Sequence, residues 1–232
     1  MKKYYLIGLI IILFSGCTQN DSEWEIINPK VLVPNIQVKR IRDAHNQIHQ
    51  SVEVLFNDIE NNTISLGSGS IYFDNQQLQL QYNGSGTPYY CLLEGIPMLE
   101  PGSIHTIRIT LGKSKDFFCY IVIPNTTLEK LVLPVSHKVN TDLTVYWEGR
   151  DHAPKLLRLS GSNNSVHNSQ SIVIPNDQQS LGQYTLPADL FLIPGTYFLN
   201  LISYSTGNVD PMLGGGSITA IWAVEGECTV VE

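Results

Sequence analysis

Two stretches of the chain share one pattern, and their spacing constrains the fold more than any other feature. Residues 99–109 read LEPGSIHTIRI and residues 192–202 read LIPGTYFLNLI, each with a Pro-Gly pair before alternating apolar residues. Proline fixes φ at a turn, and glycine lets the backbone swing into the next strand. Because Pro101 and Pro194 are 93 residues apart, the repeated corner predicts a structural unit that occurs twice.

Short strand-like runs fill both halves of the chain. They are rich in Ile, Val, Leu and Tyr, they alternate with polar residues, and they are bounded by Gly, Pro, Asn and Ser. The runs are NIQVKRI, SVEVLF, SIYFD, LQLQY, PYYCLL, IHTIRITL and DFFCYIVI in the first half, and EKLVLPV, LTVYW, KLLRL, SIVI, QYTL, TYFLNLIS and SITAIWAVE in the second. Seven strands in each half predict an all-β fold.

This organisation resembles two tandem immunoglobulin-like or fibronectin type III-like β-sandwiches, whose domains have about 100 residues. PGTYFLNL resembles the tyrosine corner of these sandwiches, in which a tyrosine hydroxyl ties the bend back to the backbone. The resemblance assigns this role to Tyr197, with Leu199 and Leu201 on the same strand face. In the first copy His105 stands where tyrosine is usual, on one face with Ile107 and Ile109.

The same resemblance gives the domain boundaries. We expect a first sandwich over residues 31–125 and a second over residues 126–232, with the boundary in IPNTTLEK. In LTVYW, Leu143, Val145 and Trp147 alternate inward, and Trp147 resembles the buried core tryptophan of such domains.

One segment fits two interpretations. Residues 41–52 carry apolar side chains at helical spacing, but they fit a strand-turn-strand through AHNQ equally well.

The first residues, MKKYYLIGLIIILFSGC, have the features of an export signal. Lys2 and Lys3 precede an apolar run from Tyr4 to Phe14, which is too short to span a hydrocarbon core of about 30 Å. Small residues follow, and then Cys17. This arrangement resembles the lipobox of bacterial lipoproteins, although Phe14 replaces the usual aliphatic residue.

The resemblance implies a signal peptide over residues 1–16, removed before a diacylglyceryl-modified and acylated Cys17. Residues 17–30 then form a short polar tether. More than one acyl chain gives stable anchoring. Thr18 in place of aspartate implies the outer membrane, with the periplasmic or exterior face left open.

Charge excludes one class of partner. Without Lys2 and Lys3 the chain has 12 basic and 21 acidic residues, a net charge of −9. Nucleic acid binding depends on neutralising phosphates with Lys and Arg, so we expect no nucleic acid partner.

Three cysteines remain beyond Cys17. Cys91 and Cys119 lie in apolar strand patterns of the first half, and an exported compartment permits a disulfide between them. Two buried free thiols are the alternative. Cys228 has no obvious partner.

We find no clear catalytic or metal motif. His45 and His49 have the i, i+4 spacing of two ligands on a helix, but no third ligand accompanies them. GSGSIYF lacks the G-x-S-x-G pattern, and LGGGSI, residues 213–218, lacks the Lys-Ser/Thr of a phosphate loop, so we interpret it as a flexible loop. We therefore expect no metal and no cofactor.

Two weaker patterns suggest binding. EGRDHAPK, residues 148–155, is the densest polar cluster, and Glu148, Asp151 and His152 form a possible binding loop, with an ordinary solvated loop as the alternative. Tyr72, Phe73, Tyr82, Tyr89 and Tyr90 lie among Gln and Asn residues. Aromatic and amide groups suit sugar rings, although alternating core and cross-strand residues give the same pattern.

These features favour a lipid-anchored envelope protein that acts as a non-enzymatic structural or interaction module. Its partners would be the membrane, through Cys17, and an envelope protein. A carbohydrate-binding surface lipoprotein of a nutrient-uptake system is the alternative, and a hydrolase with an unrecognised site is the third hypothesis.

Overall fold

The computed structural model describes residues 26, 28–92, 95–112, 115–126, 128–149, 156–162, 169–175 and 182–232. The predicted signal peptide, the lipidation site Cys17 and most of the tether lie outside these residues and stay predictions. Helix in the described part is limited to two 3-10 turns, Pro29–Val31 and Ala188–Leu190. No helix there has the length and apolar character needed to cross a membrane. The predicted all-β fold class is confirmed.

The described residues of the first half form nine strands in two sheets. They are β1 (Val33–Arg42), β2 (Ile48–Asn57), β3 (Thr63–Ile64), β4 (Ser70–Phe73), β5 (Gln76–Gln77), β6 (Gln79–Tyr82), β7 (Pro88–Cys91), β8 (Ile104–Leu111) and β9 (Lys115–Val122). One sheet has the order β1-β2-β7-β6, with β3 on β2, and the other has the order β5-β4-β8-β9. This is the strand order of an immunoglobulin-type sandwich.

The described residues of the second half form eight strands. They are β10 (Lys130–Val132), β11 (Ser136–Lys138), β12 (Leu143–Glu148), β13 (Leu156–Ser162), β14 (Ser169–Val173), β15 (Gln183–Leu186), β16 (Gly195–Thr206) and β17 (Ser217–Val231). β10-β12-β15 form a three-stranded sheet, and β14-β13-β16-β17 form the facing one. β11 pairs in parallel with the end of β17.

Every predicted run overlaps a strand, whereas β3, β5 and β11 were not predicted because two or three residues carry no alternating pattern. The segment over residues 41–52 is a strand-turn-strand. The Asp43 carboxylate accepts hydrogen bonds from the N–H groups of His45 at 2.9 Å and Gln47 at 2.8 Å. Asn46 adopts a left-handed backbone conformation with a φ of 65°. These local contacts form a turn, and the helical spacing of the apolar residues does not produce a helix.

The second corner has the predicted tyrosine tie. The hydroxyl of Tyr197 donates to the carbonyl of Ile193 at 3.0 Å. Leu199 and Leu201 are fully buried beyond it on the same strand. The prediction from PGTYFLNL is therefore confirmed.

The tryptophan prediction needs correction. Leu143 and Val145 are buried, but Trp147 lies near the end of β12 and is only half-buried against the core. The buried tryptophan is Trp222 on β17, whose indole N–H donates to the carbonyl of Leu128 at 3.1 Å. The strand pattern gave the correct face of β12 but not how far the core extends along it.

The two sandwiches share a sheet. The first part of β17 pairs in parallel with β1 over eight residues, from Asn35 opposite Ser217 to Arg42 opposite Val224. This pairing joins the β1-β2-β7-β6 sheet to the β14-β13-β16-β17 sheet, and buried residues of both halves form one cluster.

The connection between β16 and β17 also contacts the other sheet of the first sandwich. Tyr120 on β9 and Asn208 exchange two backbone hydrogen bonds, of 2.9 and 2.8 Å. The N–H of Phe118 donates to the Asp210 carboxylate at 3.0 Å. The β16–β17 hairpin therefore lies across the edges of β1 and β9 and covers the open side of the first sandwich.

Glycines permit this close approach. A Cβ atom on Gly207 would lie 2.2 Å from the carbonyl oxygen of Tyr120, and one on Gly214 would lie 2.2 Å from that of Lys30. The N–H of Gly214 donates to Leu32 at 2.9 Å. Within LGGGSI, the Cβ positions of Gly214 and Gly216 lie against backbone, whereas nothing lies within 4 Å of the Cβ position of Gly215. The flexibility of this loop stays a prediction.

The predicted domain boundary lies between β9 and β10. The division into residues 31–125 and 126–232 stays a prediction, because β17 and the buried cluster cross it.

The predicted disulfide is not formed. Cys91, Cys119 and Cys228 are free and buried. Cys91 lies on β7 of one sheet and Cys119 on β9 of the other. Because both sulfur atoms are free in the structure, the expectation of a bond between them was wrong and the alternative of two buried thiols holds. Burial raises the pKa of each thiol, which keeps all three protonated and unreactive.

The close approach at Gly207 predicts a large effect from one methyl group. Gly207→Ala places a Cβ against the Tyr120 carbonyl, and we expect a loss of about 1–3 kcal/mol in unfolding free energy, typical of overpacking. Gly84→Ala is the matched control, because nothing lies within 4 Å of its Cβ position. Denaturant titration measures both, and equal stability of the two variants contradicts the role of the hairpin contact.

The tyrosine corner predicts a smaller effect. Tyr197→Phe removes one hydrogen bond to Ile193, and we expect a loss of about 0.5–1.5 kcal/mol with the fold retained. Tyr146→Phe, at an exposed tyrosine on β12, serves as the control. Thermal or denaturant unfolding provides the measurement, and an unchanged Tyr197→Phe variant refutes a stabilising corner.

Candidate functional site

The predicted polar loop is only partly described. Glu148 is exposed at the end of β12, and its carboxylate lies 3.9 Å from the ammonium of Lys130. Both side chains are largely solvated, so this pair adds little stability. Asp151 and His152 lie outside the described residues, and a binding loop of these three residues stays a prediction.

The predicted histidine pair lies in the β1–β2 turn region. His49 contacts the carboxylate of Asp43 at 2.8 Å. The hydrogen bond from His49 and those from the turn amides lower the pKa of Asp43. Among the described residues no group of three metal-ligating side chains converges. The contact with Asp43 ties His49 on β2 to the turn.

A serine, a histidine and an aspartate meet at the first corner. The Nε2 atom of His105 lies 2.7 Å from the Ser103 hydroxyl, and its Nδ1 lies 2.5 Å from the Asp74 carboxylate. This is the connectivity of a hydrolytic triad. The His105 ring is buried and stacked on Phe73, with centroids 5.1 Å apart.

The surroundings of Ser103 do not suit catalysis. An acyl-transfer site needs backbone N–H groups free to bind the oxyanion. Here the N–H of Gly102 donates to the carbonyl of Ile123, and the N–H of Ser103 donates to the carbonyl of Glu100. The Ser103 hydroxyl itself donates to the Glu100 carbonyl at 2.7 Å.

Comparison of the corners explains the cluster. Glu100 and Ile193 both directly precede the Pro-Gly pair. Tyr197 reaches the Ile193 carbonyl directly, whereas His105 reaches the Glu100 carbonyl through the Ser103 hydroxyl. The three side chains at the first corner thus perform the structural role of the tyrosine.

The aromatic residues noted in the sequence divide between the core and the surface. Phe73 and Tyr90 are buried, and the Tyr90 hydroxyl accepts from the N–H of Leu66 at 2.8 Å. Tyr72 and Tyr89 lie on outward faces, and Tyr82 is exposed on the edge strand β6. The core interpretation is therefore confirmed for Phe73 and Tyr90, and sugar binding by the other residues stays a prediction.

Tyr89 lines an open groove of about 400 Å³ on the outer face of the shared sheet. This volume lies at the lower end for small-ligand sites. The lining residues come from β1, β2, β7 and the turn before β7; they are Asn35, Gln37, Glu53, Val54, Leu55, Asn83 and Tyr89.

Strand pairing sets the geometry of this groove. Asn35 lies opposite Leu55, and Gln37 lies opposite Glu53. Val54 pairs with Tyr90 on β7, which places Tyr89 beside Leu55. With strands about 4.8 Å apart, Asn35 and Tyr89 are roughly 10 Å apart across the groove.

Neighbouring groups orient the polar side chains. Lys39 donates to one carboxylate oxygen of Glu53 at 3.0 Å. The Asn83 side-chain oxygen accepts from the N–H groups of Ser85 and Thr87. These contacts use one carboxylate oxygen of Glu53 and the side-chain oxygen of Asn83. The other carboxylate oxygen and the amide nitrogen are left for further hydrogen bonds.

A second surface lies on the outer face of the β5-β4-β8-β9 sheet. Ser70, Thr110 and Asp116 lie at one end of the outward row, where the Asp116 carboxylate is 3.6 Å from the Arg108 guanidinium. The rest of the row consists of Tyr72, Ile104, Thr106, Arg108, Phe118, Tyr120 and Val122. We call these seven residues the aromatic face. Ile104 is 70 % exposed, Tyr120 is 48 % exposed and Phe118 is 40 % exposed. The guanidinium of Arg108 stacks on the Tyr72 ring at 4.3 Å.

The sequence analysis missed this face. Phe118 and Tyr120 were predicted only as strand residues, although they alternate with the buried Phe117, Cys119 and Ile121. Large apolar residues at every position of a strand are the signal that was available, because one of the two faces must then expose them.

Comparisons with known proteins give no family. No protein family model and no curated protein matches the sequence. Several solved structures are similar, and three of them share 11–12 % identity with this chain.

The first is the SGBP-B of the Bacteroides ovatus mixed-linkage glucan utilization locus with a mixed-linkage heptasaccharide, with a TM-score of 0.24 over 87 % of this chain and 60 % of that chain. The second is the Yersinia pseudotuberculosis adhesin InvE, with a TM-score of 0.24 over 86 % and 59 %. The FN1–FN3 domains of chicken CNTN1 have a TM-score of 0.21 over 83 % and 66 %.

The chain thus spans about three fifths of the length of the first two structures. Similarity at TM-scores below 0.5 does not indicate what this chain binds or does.

Proposed function

We propose that this protein is a lipid-anchored, non-enzymatic binding module of the cell envelope. The aromatic face carries the proposal. Monomeric proteins rarely leave contiguous apolar and aromatic residues on a sheet surface, and such patches mark interaction sites. Tyr and Arg are enriched among the residues that dominate binding energy at protein interfaces.

The arrangement of Arg108 and Tyr72 supports a protein partner. The stacked guanidinium is held in place on the ring, so less side-chain freedom is lost when a partner covers it. Phe118 lies opposite Arg108 on the next strand and extends the row. A partner with apolar side chains would bury this row at the centre of an interface.

A non-enzymatic role fits the remaining chemistry. The Ser103 cluster has its backbone donors occupied, and the three buried cysteines have raised pKa values. We therefore assign these groups to the fold.

Carbohydrate binding is the second candidate, and the groove beside Tyr89 favours it. An aromatic ring next to amide and carboxylate groups suits the apolar face and the hydroxyl groups of a sugar. In this case the protein would serve as a surface carbohydrate-binding lipoprotein of a nutrient-uptake system.

The anchor predicts a specific dependence on Cys17. In Cys17→Ser we expect loss of incorporated palmitate and release from the outer-membrane fraction, because no thiol remains to carry the lipid. Cys228→Ser is the control, since that buried cysteine lies in the second half. Labelling with radioactive palmitate and membrane fractionation test this, and a labelled Cys17→Ser protein contradicts the anchor.

The aromatic face predicts where a protein partner is captured. A photo-crosslinking amino acid in place of Tyr120 should give a discrete adduct in cells, and one in place of Tyr146 should not. Both tyrosines are about half exposed, on different halves of the chain. Ile104→Asp in the aromatic face should abolish the adduct while the melting temperature is retained. Equal labelling from both positions, or no adduct from either, overturns this role for the face.

A further inference from the structure

We infer that the groove beside Tyr89 binds a neutral saccharide chain, and that Ser217 from the second half completes the site. This inference rests on the proposed binding function and specifies the ligand class for its second candidate. Ser217 is the first residue of β17, and it lies opposite Asn35 in the pairing that joins the two sandwiches.

Ser217 fixes the orientation of a groove residue. Its hydroxyl donates to the Asn35 side-chain oxygen at 2.9 Å. Because that oxygen is engaged, the Asn35 amide nitrogen is the atom left to donate to a ligand. The second sandwich thus sets the polarity of a side chain that belongs to the first.

The other side of the groove is set in the same manner. The Asn83 oxygen accepts from two turn amides and from the Ser85 hydroxyl at 2.7 Å, which leaves its amide nitrogen as a donor. Lys39 binds one oxygen of Glu53, and the other remains as an acceptor. The groove therefore offers two oriented N–H donors, one carboxylate acceptor and one aromatic ring.

This combination distinguishes a saccharide from a peptide. Peptides add to sheets through the backbone of an unpaired edge strand, but β1 and β2 are paired on both sides. We therefore assign recognition of the ligand mainly to the side chains of the groove. Sugar hydroxyl groups both donate and accept, so they satisfy the amides and Glu53 together, while Leu55 and Tyr89 contact the apolar ring face.

Charge favours a neutral chain. The carboxylate of Glu53 has only Lys39 as an ionic partner in the described structure, and the protein carries a net charge of −7. An anionic polysaccharide would meet repulsion both in the groove and from the whole molecule. The groove is open to solvent, so a saccharide chain that is longer than the groove can extend beyond it.

Native affinity electrophoresis tests the inference on the mature protein, from residue 17 onward with Cys17→Ser. The gels contain dextran, xyloglucan, mixed-linkage β-glucan or galactomannan as neutral probes, and polygalacturonate as an anionic probe. We expect retardation by at least one neutral probe and none by polygalacturonate. Retardation by polygalacturonate alone overturns the assignment to neutral chains.

Variants then test the residues against the probe that retards the protein. Tyr89→Ala should weaken affinity about tenfold or more, because it removes the aromatic contact. Tyr82→Ala, an exposed tyrosine on β6 outside the groove lining, should bind normally.

Ser217→Ala should weaken affinity about two- to tenfold, which corresponds to one hydrogen bond. Ser217→Thr, which keeps the hydroxyl, should have the affinity and the melting temperature of the unsubstituted protein.

The outcomes separate the claims. If Tyr89→Ala loses binding and Ser217→Ala does not, the composite site is wrong while saccharide binding stands. If no neutral polysaccharide retards the protein, the saccharide assignment is wrong. The proposed protein-binding role is then still tested separately by the crosslinking experiment at position 120.

Discussion

The parallel pairing of β1 with β17 is the interaction on which the rest of the architecture depends. It joins residues near the two ends of the chain, Asn35 and Ser217, and parallel pairing always requires a long connection. In this protein the chain that connects β1 to β17 comprises almost all of both sandwiches. The entropic cost of closing such a loop grows only slowly with its length, and burial of Ile218, Ala220 and Trp222 along the same strand offsets it. The two halves are therefore coupled through shared backbone hydrogen bonds and a shared core, although each has the strand order of a sandwich.

This coupling gives the molecule two outward surfaces with different chemistry. The aromatic face belongs to the first sandwich alone and is mainly apolar, with Arg108 stacked within it. The groove beside Tyr89 is lined with amides and a carboxylate, and it adjoins the shared strand pairing. An apolar surface suits a protein partner, whereas oriented donors and acceptors suit a ligand rich in hydroxyl groups. Under the proposed function, the two surfaces would hold a ligand next to another envelope component.

The two corners show how one architectural requirement is met by different side chains. Both need a tie to the carbonyl before the Pro-Gly pair, and both have one. At the first corner the tie uses a Ser-His-Asp chain whose hydrogen bonds are engaged in the fold. The cluster thus resembles a catalytic triad only in the order in which its side chains are connected. Catalysis requires free backbone N–H groups, and those beside Ser103 are already hydrogen-bonded within the fold.

The sequence by itself determined the features that depend on neighbouring residues. Alternating apolar residues predicted the strands, the Pro-Gly pairs predicted the corners, and Tyr197 was recognised correctly because its partner lies four residues away. The turn over residues 43–47 is also held by local contacts to Asp43, but the sequence left it open because helical spacing was equally consistent with residues 41–52. Only the tertiary structure decided what depends on distant pairing: that β1 lies beside β17, that Cys91 and Cys119 are in separate sheets, and that Ser217 reaches Asn35. The physical reason is that a period of two residues fixes which face a side chain occupies, but it carries no information about which strand becomes the neighbour.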